Sequence, residues 1–436
     1  MKPTRLILLF LALTVFLFQP IRAASSGPTV LVLTIDGPIA PAAQEYLSRG
    51  LKTAEQINAD LVVLQLNTPG GSIGSMTSMA EGIRNSRVPV VVYVSPRGAM
   101  AASAGTIITL AGHAAAMAPE TIIGAASPVG SQGEDLATTE KAKTTEAMKA
   151  LVRSYTENRP PEAVALAEAT IEKAQAVSST EALKIGLVDF IATDLNDLLR
   201  QLDGFTVQMA DGPQTLHTAN AEIQTLGMSF IEALLNILTN PNIVFVLLAI
   251  GMQAILIEIS HPGGWIAGFI GAVCLALAAY GLGILTVNWF GLAFLALAFV
   301  LFIVDVKAAT HGGLTAAGIA SFIVGALVLF NSPGTPTFQH VSLPLVIFVA
   351  VFIGATFAII VGLALRARKM PVRTGRESLA GITGVAVSDL TPAGQVQAAS
   401  ELWTAEAAEG SAQIHKGDTV EVVRAEGLRL KVRKKD

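Results

Sequence analysis

From Val30 to about Asp203, short runs of aliphatic residues alternate with stretches whose apolar positions recur every three or four residues. Val30–Ile35, Leu61–Leu66 and Val88–Val94 read as buried strands. Residues 41–57 read as a helix with Ala42, Tyr46, Leu47, Leu51 and Ala54 on one face, and 74–86 as a second. Such alternation implies a mostly parallel sheet wrapped by helices. The first strand ends at Asp36-Gly37, and Asn67-Thr-Pro-Gly-Gly71 forms a tight turn after the second. Residues 140–158 predict a charged, exposed helix. Thr180–Asp189 predicts another, with Thr180 at or near its N-cap and Gly186 as its stop. Residues 204–226 are polar and turn-rich and read as a linker.

Beyond that segment the periodicity gives way to continuous apolar runs. Five of them, about 241–259, 264–285, 287–306, 313–330 and 343–365, are each near the roughly 20 residues that a membrane helix needs. Pro262, Gly312, Pro333 and Pro344 mark the joints, and Phe230–Leu238 reads as a helix lying in the interface. Alternation returns in residues 378–436. Thr419–Val423 and Leu428–Val432 flank Ala425-Glu-Gly427 as a hairpin, and glycines at 381, 384, 394, 410 and 417 punctuate further short strands. A small β-barrel of the OB type fits this pattern.

Composition agrees with a soluble half followed by a membrane half: of 436 residues, 52% are apolar and only 14% charged. A net charge of -4 argues against nucleic acid as the main partner. The one cysteine, Cys274, sits in an apolar run, which excludes a disulfide framework within the chain and a cysteine-based metal site. Residues 1–23 read as a secretory signal: Lys2 and Arg5, then apolar Leu6–Phe18, then small residues to Ala23. An uncleaved anchor is the rival reading. Arg366, Arg368, Lys369, Arg373 and Arg376 follow the fifth run and Lys307 the third, whereas residues 331–344 carry no Lys or Arg. Positive-inside then puts the ends of spans three and five in the cytoplasm, and an exported first half agrees with an odd number of spans.

The stretch Arg97-Gly-Ala-Met-Ala-Ala-Ser-Ala-Gly105 stands out chemically. Ser103 lies among Ala101, Ala102, Ala104 and Gly105 at the mouth of a small-residue helix, where backbone N–H groups point at a bound oxyanion. Gly70 or Gly71, one strand earlier, lets substrate backbone approach closely and lends a second N–H beside that of Ala104. A base is harder to find. Only His113 falls in this region, and ten helical residues from Ser103 is about 15 Å, too far for proton transfer. His113 therefore reads as structural. A lysine whose amine is kept neutral by burial is the alternative base, and Lys141, Lys143 and Lys149 are the candidates. Spacing alone does not choose among them.

Leu66-Asn-Thr-Pro-Gly-Gly71, Gly98-Ala-Met-Ala-Ala-Ser-Ala-Gly105, Ala116-Met-Ala-Pro-Glu-Thr-Ile-Ile-Gly124 and Glu181-Ala-Leu-Lys-Ile-Gly-Leu-Val-Asp189 together resemble the long form of the NfeD family. That family consists of membrane-bound serine proteases related to the Clp protease fold, and the resemblance runs nearly the whole chain. It implies a signal peptide at 1–23, an α/β Clp-protease/crotonase-like domain at 28–203 and the linker at 204–226. An all-α transmembrane domain of five helices follows at 227–368, then an all-β OB-fold domain at 378–436. It also implies a Ser–Lys dyad with no metal or cofactor. Ser103 matches the nucleophile. Counting seven residues back from Ala150-Leu-Val-Arg-Ser154 places the base at Lys143, with Lys141 in reserve. Gly70, Gly71 and Ala104 would form the oxyanion hole. The implied partners are hydrophobic peptide segments, a stomatin-like membrane protein and the lipid bilayer of a bacterial-type inner membrane, with the chain a homo-oligomer. The protease domain would then be extracytoplasmic and the OB domain cytoplasmic.

Two rivals remain. A crotonase-type acyl-CoA hydratase shares the fold and the two-amide hole, but it needs carboxylates beside the hole, and an exported domain meets no CoA. A non-catalytic scaffold would use the protease-like domain only to bind stomatin-like partners. In the tail, Arg424, Arg429, Lys431, Arg433 and two terminal lysines read as a solvated strand face near anionic lipid rather than a binding strip.

Overall fold

β1 (Thr29–Asp36), α1 (Pro41–Gln56), β2 (Leu61–Asn67), α2 (Ile73–Arg84) and β3 (Val90–Val94) all fall within two residues of their expected bounds. Pro41 opens α1 at a position whose N–H would be unsatisfied anyway. The Ser72 hydroxyl caps α2 by accepting the Ser75 N–H. Next come β4 (Met100–Ala102), α3 (Ala104–Ala111), β5 (Ala114–Met117) and β6 (Ile122–Gly124). After them lie α4 (Thr138–Tyr155), α5 (Pro161–Glu172), β7 (Ala176–Ser178), α6 (Ser179–Lys184), β8 (Phe190–Ile191) and α7 (Leu195–Leu202). The computed structural model describes residues 27–130, 136–260, 263–285, 287–308, 312–330, 340–369 and 379–435. The expected signal at 1–23 lies outside them, as do Pro262, Pro333, Arg373 and Arg376.

With β11 (Glu222–Thr225) at one edge, a six-stranded parallel sheet in the order β11-β1-β2-β3-β5-β8 forms the frame. Its inner strands β1, β2, β3 and β5 are largely buried on both faces, which is why β1, β2 and β3 read as continuous rather than alternating apolar runs. Leu33, Leu64 and Val92 pack beneath α1, α2 and α3, while Val32, Val63 and Tyr93 pack on the opposite side with Leu198 and Leu202 of α7. A second, three-stranded sheet, β4-β6-β7, carries the approach to Ser103.

Two expectations need correction. Segment 204–226 is not a free linker: it forms the hairpin β9 (Thr206–Met209) and β10 (Gly212–Thr215), then β11 (Glu222–Thr225), which extends the main sheet alongside β1. Only Val207 and Leu216 of this hairpin reach the core, so the strands are too short and too exposed to show an apolar period. The N-cap of α6 is Ser178 rather than Thr180, because Ser178 and Glu181 complete a capping box.

The apolar runs all form helices: α8 (Phe230–Ile237), α9 (Pro241–Ser260), α10 (Ile266–Leu282), α11 (Trp289–Ala308), α12 (Gly313–Leu329) and α13 (Leu343–Lys369). Among the described residues only Pro241–Ser260 is by itself long and apolar enough to cross a membrane; Ile266–Leu282, Trp289–Asp305, Gly313–Leu329 and Leu343–Ile359 are shorter apolar segments. Seventeen helical residues rise about 25 Å against a hydrocarbon core of about 30 Å, so helix length does not fix the expected count of five crossings. α8 exposes Phe230 and Ile231, as an interfacial helix would. Its other side docks on α1. Arg49 donates from Nε and Nη2 to Glu232 at 2.8 and 2.6 Å and from Nη2 to the Gly227 carbonyl, while Tyr46 donates to the Leu226 carbonyl.

The C-terminal unit contains a barrel in the order β12-β13-β14-β16-β15, built from β12 (Thr383–Ala386), β13 (Ala393–Ala398), β14 (Glu401–Ala407), β15 (Thr419–Glu426) and β16 (Arg429–Lys434). Val396, Ala405, Val420, Leu430 and Val432 fill it. The tail's cations are paired within the barrel: Arg424 with Glu426, Arg429 and Lys431 with Glu406, Arg433 with Glu421, Lys434 with Asp418.

The Arg49 guanidinium holds the Glu232 carboxyl at about 2, against an ordinary 4.5. A carboxyl depressed on folding stabilises above its unfolded value and loses that contribution as pH falls through the folded one. Glu232→Gln should therefore lower the melting temperature of the detergent-solubilised chain by about 2–4 °C at pH 7. The gap to wild type should shrink below pH 4.5 and close near pH 2.

Candidate active site

Ser103 is the residue between β4 and α3, and its backbone (φ 52°, ψ -116°) lies where L-residues are strained. Such a conformation costs about 1–3 kcal/mol and persists only where its surroundings enforce it. Here they do. The Ser103 N–H donates to the Gly124 carbonyl at 2.9 Å. The buried Thr106 hydroxyl lies 2.9 Å from the carbonyls of both Ala101 and Gly124 and accepts the Gly124 N–H at 3.0 Å. All eight residues of α3 are buried, so the helix cannot relax away from the turn.

The Thr68-Pro-Gly-Gly71 turn faces this serine. Thr68 is bridged to β4, donating its N–H to the Met100 carbonyl and accepting the Ala102 N–H. Gly70 has φ 116°, and a Cβ there would sit 2.6 Å from Ser103 Cβ and 3.1 Å from Ser103 Oγ. Only glycine permits that approach. The Gly70 N–H is already taken by the Thr68 hydroxyl at 3.1 Å. Gly70 and Ser72 bond to Ile39 on the other side, which leaves the Gly71 N–H facing the β4 side. Among the described residues neither Gly71 N–H nor Ala104 N–H has a protein acceptor. Of the two glycines considered, Gly71 is thus the available donor, and Gly70 supplies the close contact.

Thr68 and Thr106, which shape both halves of this arrangement, escape sequence reasoning. A threonine after a strand or inside a helix carries no local signal; its role appears only when β4 and β6 are in place. Around the serine lie half-exposed Met100 and Ile122, opposite one another in the β4–β6 register, together with Ile73 at the start of α2. This rim is apolar.

Lys141 and Lys143 stand exposed in the first turns of α4, whose later turns pack through Met148 and Val152 into the same core as α3. Among the described residues no hydrogen bond joins Ser103 Oγ to a lysine. Lys149 is committed elsewhere, to Glu146, Glu168 and Glu172 at 3.3 to 3.7 Å. Burial alone would lower its pKa, yet the carboxylates of Glu146 and Glu172 carry it above the ordinary lysine value, which removes it as a base.

His113 is structural, as its spacing implies. Its Nδ1 accepts the Val90 N–H at 3.1 Å just past the end of α3. Burial, with Arg84 nearby, pushes its pKa down to about 4. The unfolded chain therefore binds the extra proton first, and stability falls as pH drops from 6.5 to about 4. His113→Gln keeps an acceptor but does not titrate, so thermal melts of that variant should lose this component of the slope across the same window.

Gly71→Ala tests the hole directly. At φ 157° its Cβ would lie 2.1 Å from the Ile39 carbonyl oxygen, so the turn must shift and carry the donor with it. Labelling of Ser103 by a fluorophosphonate probe should slow about 100-fold or more, the scale of one lost oxyanion donor. Unchanged labelling in a folded variant would exclude Gly71 from the hole.

Three family models match the chain in order: the NfeD1b N-terminal domain over residues 29–210, the NfeD integral membrane domain over 242–363, and the NfeD-like C-terminal, partner-binding domain over 376–434. The membrane-bound protease PH1510 of Pyrococcus horikoshii is 34% identical over 434 residues, covering 98% of this chain and 97% of that protein. Membrane protein NfeD1b of Bacillus subtilis is 31% identical over 290 residues, 64% of this chain and 62% of its own. Among solved structures, the 1510-N membrane protease specific for a stomatin homolog from Pyrococcus horikoshii matches at 32% identity and a TM-score of 0.43, covering 49% of this chain and 100% of that one. With three domains matched in sequence order and a relative aligned end to end, this membrane protein belongs to the NfeD family.

Proposed function

We propose that the chain is a membrane-anchored serine endopeptidase that cleaves apolar stretches of membrane-associated proteins, stomatin-like proteins among them. The observation that carries this reading is the strained Ser103, with Gly70 against its side chain and two unpaired backbone N–H groups, of Gly71 and Ala104, beside it. In this reading Ser103 Oγ attacks the peptide carbonyl carbon while the amine of Lys143 takes the hydroxyl proton. The oxyanion rests between the N–H groups of Gly71 and Ala104. Collapse expels the new amine terminus, which receives the proton from Lys143, and a water deprotonated by the same lysine then hydrolyses the acyl ester. The apolar rim of Met100, Ile122 and Ile73 suits a hydrophobic substrate.

Lys143 serves in this scheme only if substrate binding draws the first turns of α4 over the site, since its side chain stands in solvent. Catalytic contacts often tighten only in the bound complex. Likeness to the membrane-bound protease of Pyrococcus horikoshii supports a protease, and the specificity of its N-terminal part for a stomatin homolog suggests the substrate class. The Clp-protease type of fold, five crossings, an extracytoplasmic protease domain with a cytoplasmic OB barrel, and a homo-oligomer belong to the same reading. That no hydrogen bond joins Ser103 Oγ to a lysine among the described residues favours a second one, a scaffold that binds such partners without cutting them.

One experiment separates the two. The full chain in vesicles is given an apolar peptide, alongside Ser103→Ala, Lys143→Ala, Lys143→Arg and Lys141→Ala. The protease reading expects a loss of at least about a thousandfold for Ser103→Ala and about 10²–10⁴-fold for both Lys143 variants, with Lys141→Ala near wild type. Cleavage by none of the proteins, wild type included, establishes the scaffold. Loss at Lys141 but not Lys143 moves the base to the reserve residue.

A further inference from the structure

A cleft of about 700 Å³ opens between the protease domain and the start of the membrane domain. Its protease wall includes Asp36, Pro69 and Met100; its membrane-side wall is Asn236 and Ile237 of α8, Asn240, and the first turn of α9. Ligand sites commonly measure about 300–1,000 Å³, so the space is of binding-site size. We propose that this cleft is a substrate subsite, distinct from the catalytic centre, that receives the juxtamembrane stretch of a membrane-anchored polypeptide between its cleavage point and its bilayer segment. The proposal rests on the endopeptidase reading and adds a substrate class to it.

Continuity argues for this occupant. Pro69 directly precedes Gly70, which packs against Ser103, and Met100 begins the strand that leads into Ser103. At its far end the cleft is walled by the residues where the chain enters the membrane helices. A polypeptide lying over Ser103 and running towards the bilayer by the short path passes through it. The walls are fixed on both sides. Asn67 donates to Asp36 at 2.9 Å while its Oδ1 accepts the Met100 N–H at 3.0 Å, and the Arg49–Glu232 pair holds α8. The chemistry of the walls then sets the preference. Asparagines and a threonine line the membrane side, and Asp36 is the charged residue of the lining. A stretch carrying Lys or Arg is favoured there over one carrying Glu.

The test uses the full chain in phosphatidylethanolamine–phosphatidylglycerol vesicles and two substrates with the same cleavable apolar sequence. One is a free peptide; the other is joined through about six extended residues, roughly 20 Å, to a single transmembrane helix. Ile237→Trp, at an exposed position, fills the cleft. Cleavage of the anchored substrate should fall at least about tenfold, while the free peptide, which does not reach the cleft, changes by less than about twofold. Asp36→Asn should erase a preference for a Lys-bearing over a Glu-bearing linker. Equal losses on both substrates, or no loss on either, overturn the subsite. If wild type cuts neither substrate, the endopeptidase reading fails, and binding decides the subsite alone. A photo-crosslinker at position 237 of the Ser103→Ala chain then either captures the anchored linker, which supports it, or does not, which overturns it.

Discussion

The close approach of the Gly70 backbone to Ser103 is the constraint around which the N-terminal domain is arranged. The 2.6 Å that a Cβ at position 70 would leave to Ser103 Cβ forces the turn after β2 to stay bare, and the bare turn leaves the Gly71 N–H on the β4 side, away from Ile39. Gly105 repeats the logic from the other side, since a Cβ there would sit 2.5 Å from Thr68 Cγ2. The serine helix and the glycine turn thus interlock through backbone rather than side chain. A strained Ser103 persists because α3 is wholly buried and Thr106 ties it to β4 and β6 at once.

The membrane domain uses small residues in the same way. A Cβ on Gly251 of α9 would lie 3.3 Å from the Gly271 carbonyl of α10, and one on Gly325 of α12 would lie 2.9 Å from the Gly291 carbonyl of α11. Helices this close gain dispersion contacts that lipid cannot replace, which is how membrane helices associate without a hydrophobic drive. Asp305 is buried and accepts from Thr315 on the neighbouring helix, so its polarity is satisfied between α11 and α12 rather than against lipid.

Much of this was legible because the physics that wrote it is local. Buried parallel strands announce themselves as apolar runs, and Ser103 stands out because four small neighbours leave its hydroxyl uncovered. Gly70 and Gly71 were visible as a turn, but which of them offers its N–H depends on the Thr68 hydroxyl folding back on Gly70 and on Ile39, brought in from the end of β1. The polar stretch 204–226 hid a sheet strand because β11 is four residues long and takes its place from pairing with β1, not from its own periodicity. Arg49 and Glu232 lie 183 positions apart, and nothing local marks them as partners.

The two halves of the catalytic reading differ in how firmly they are built. On the serine side every element is enclosed: α3 is buried, Thr68 and Thr106 are buried, and the sheet beneath is complete. On the lysine side the later turns of α4 are anchored by Met148, Val152 and the carboxylates around Lys149, while Lys141 and Lys143 are exposed. An amine becomes a useful base when water is kept from it. In the endopeptidase reading, a substrate lying across Met100 and Ile122 would offer those lysines apolar surface. In that reading the same hydrophobic stretch that satisfies the rim would supply the desolvation that Lys143 requires to act as a base, and a polar peptide of equal length would supply neither.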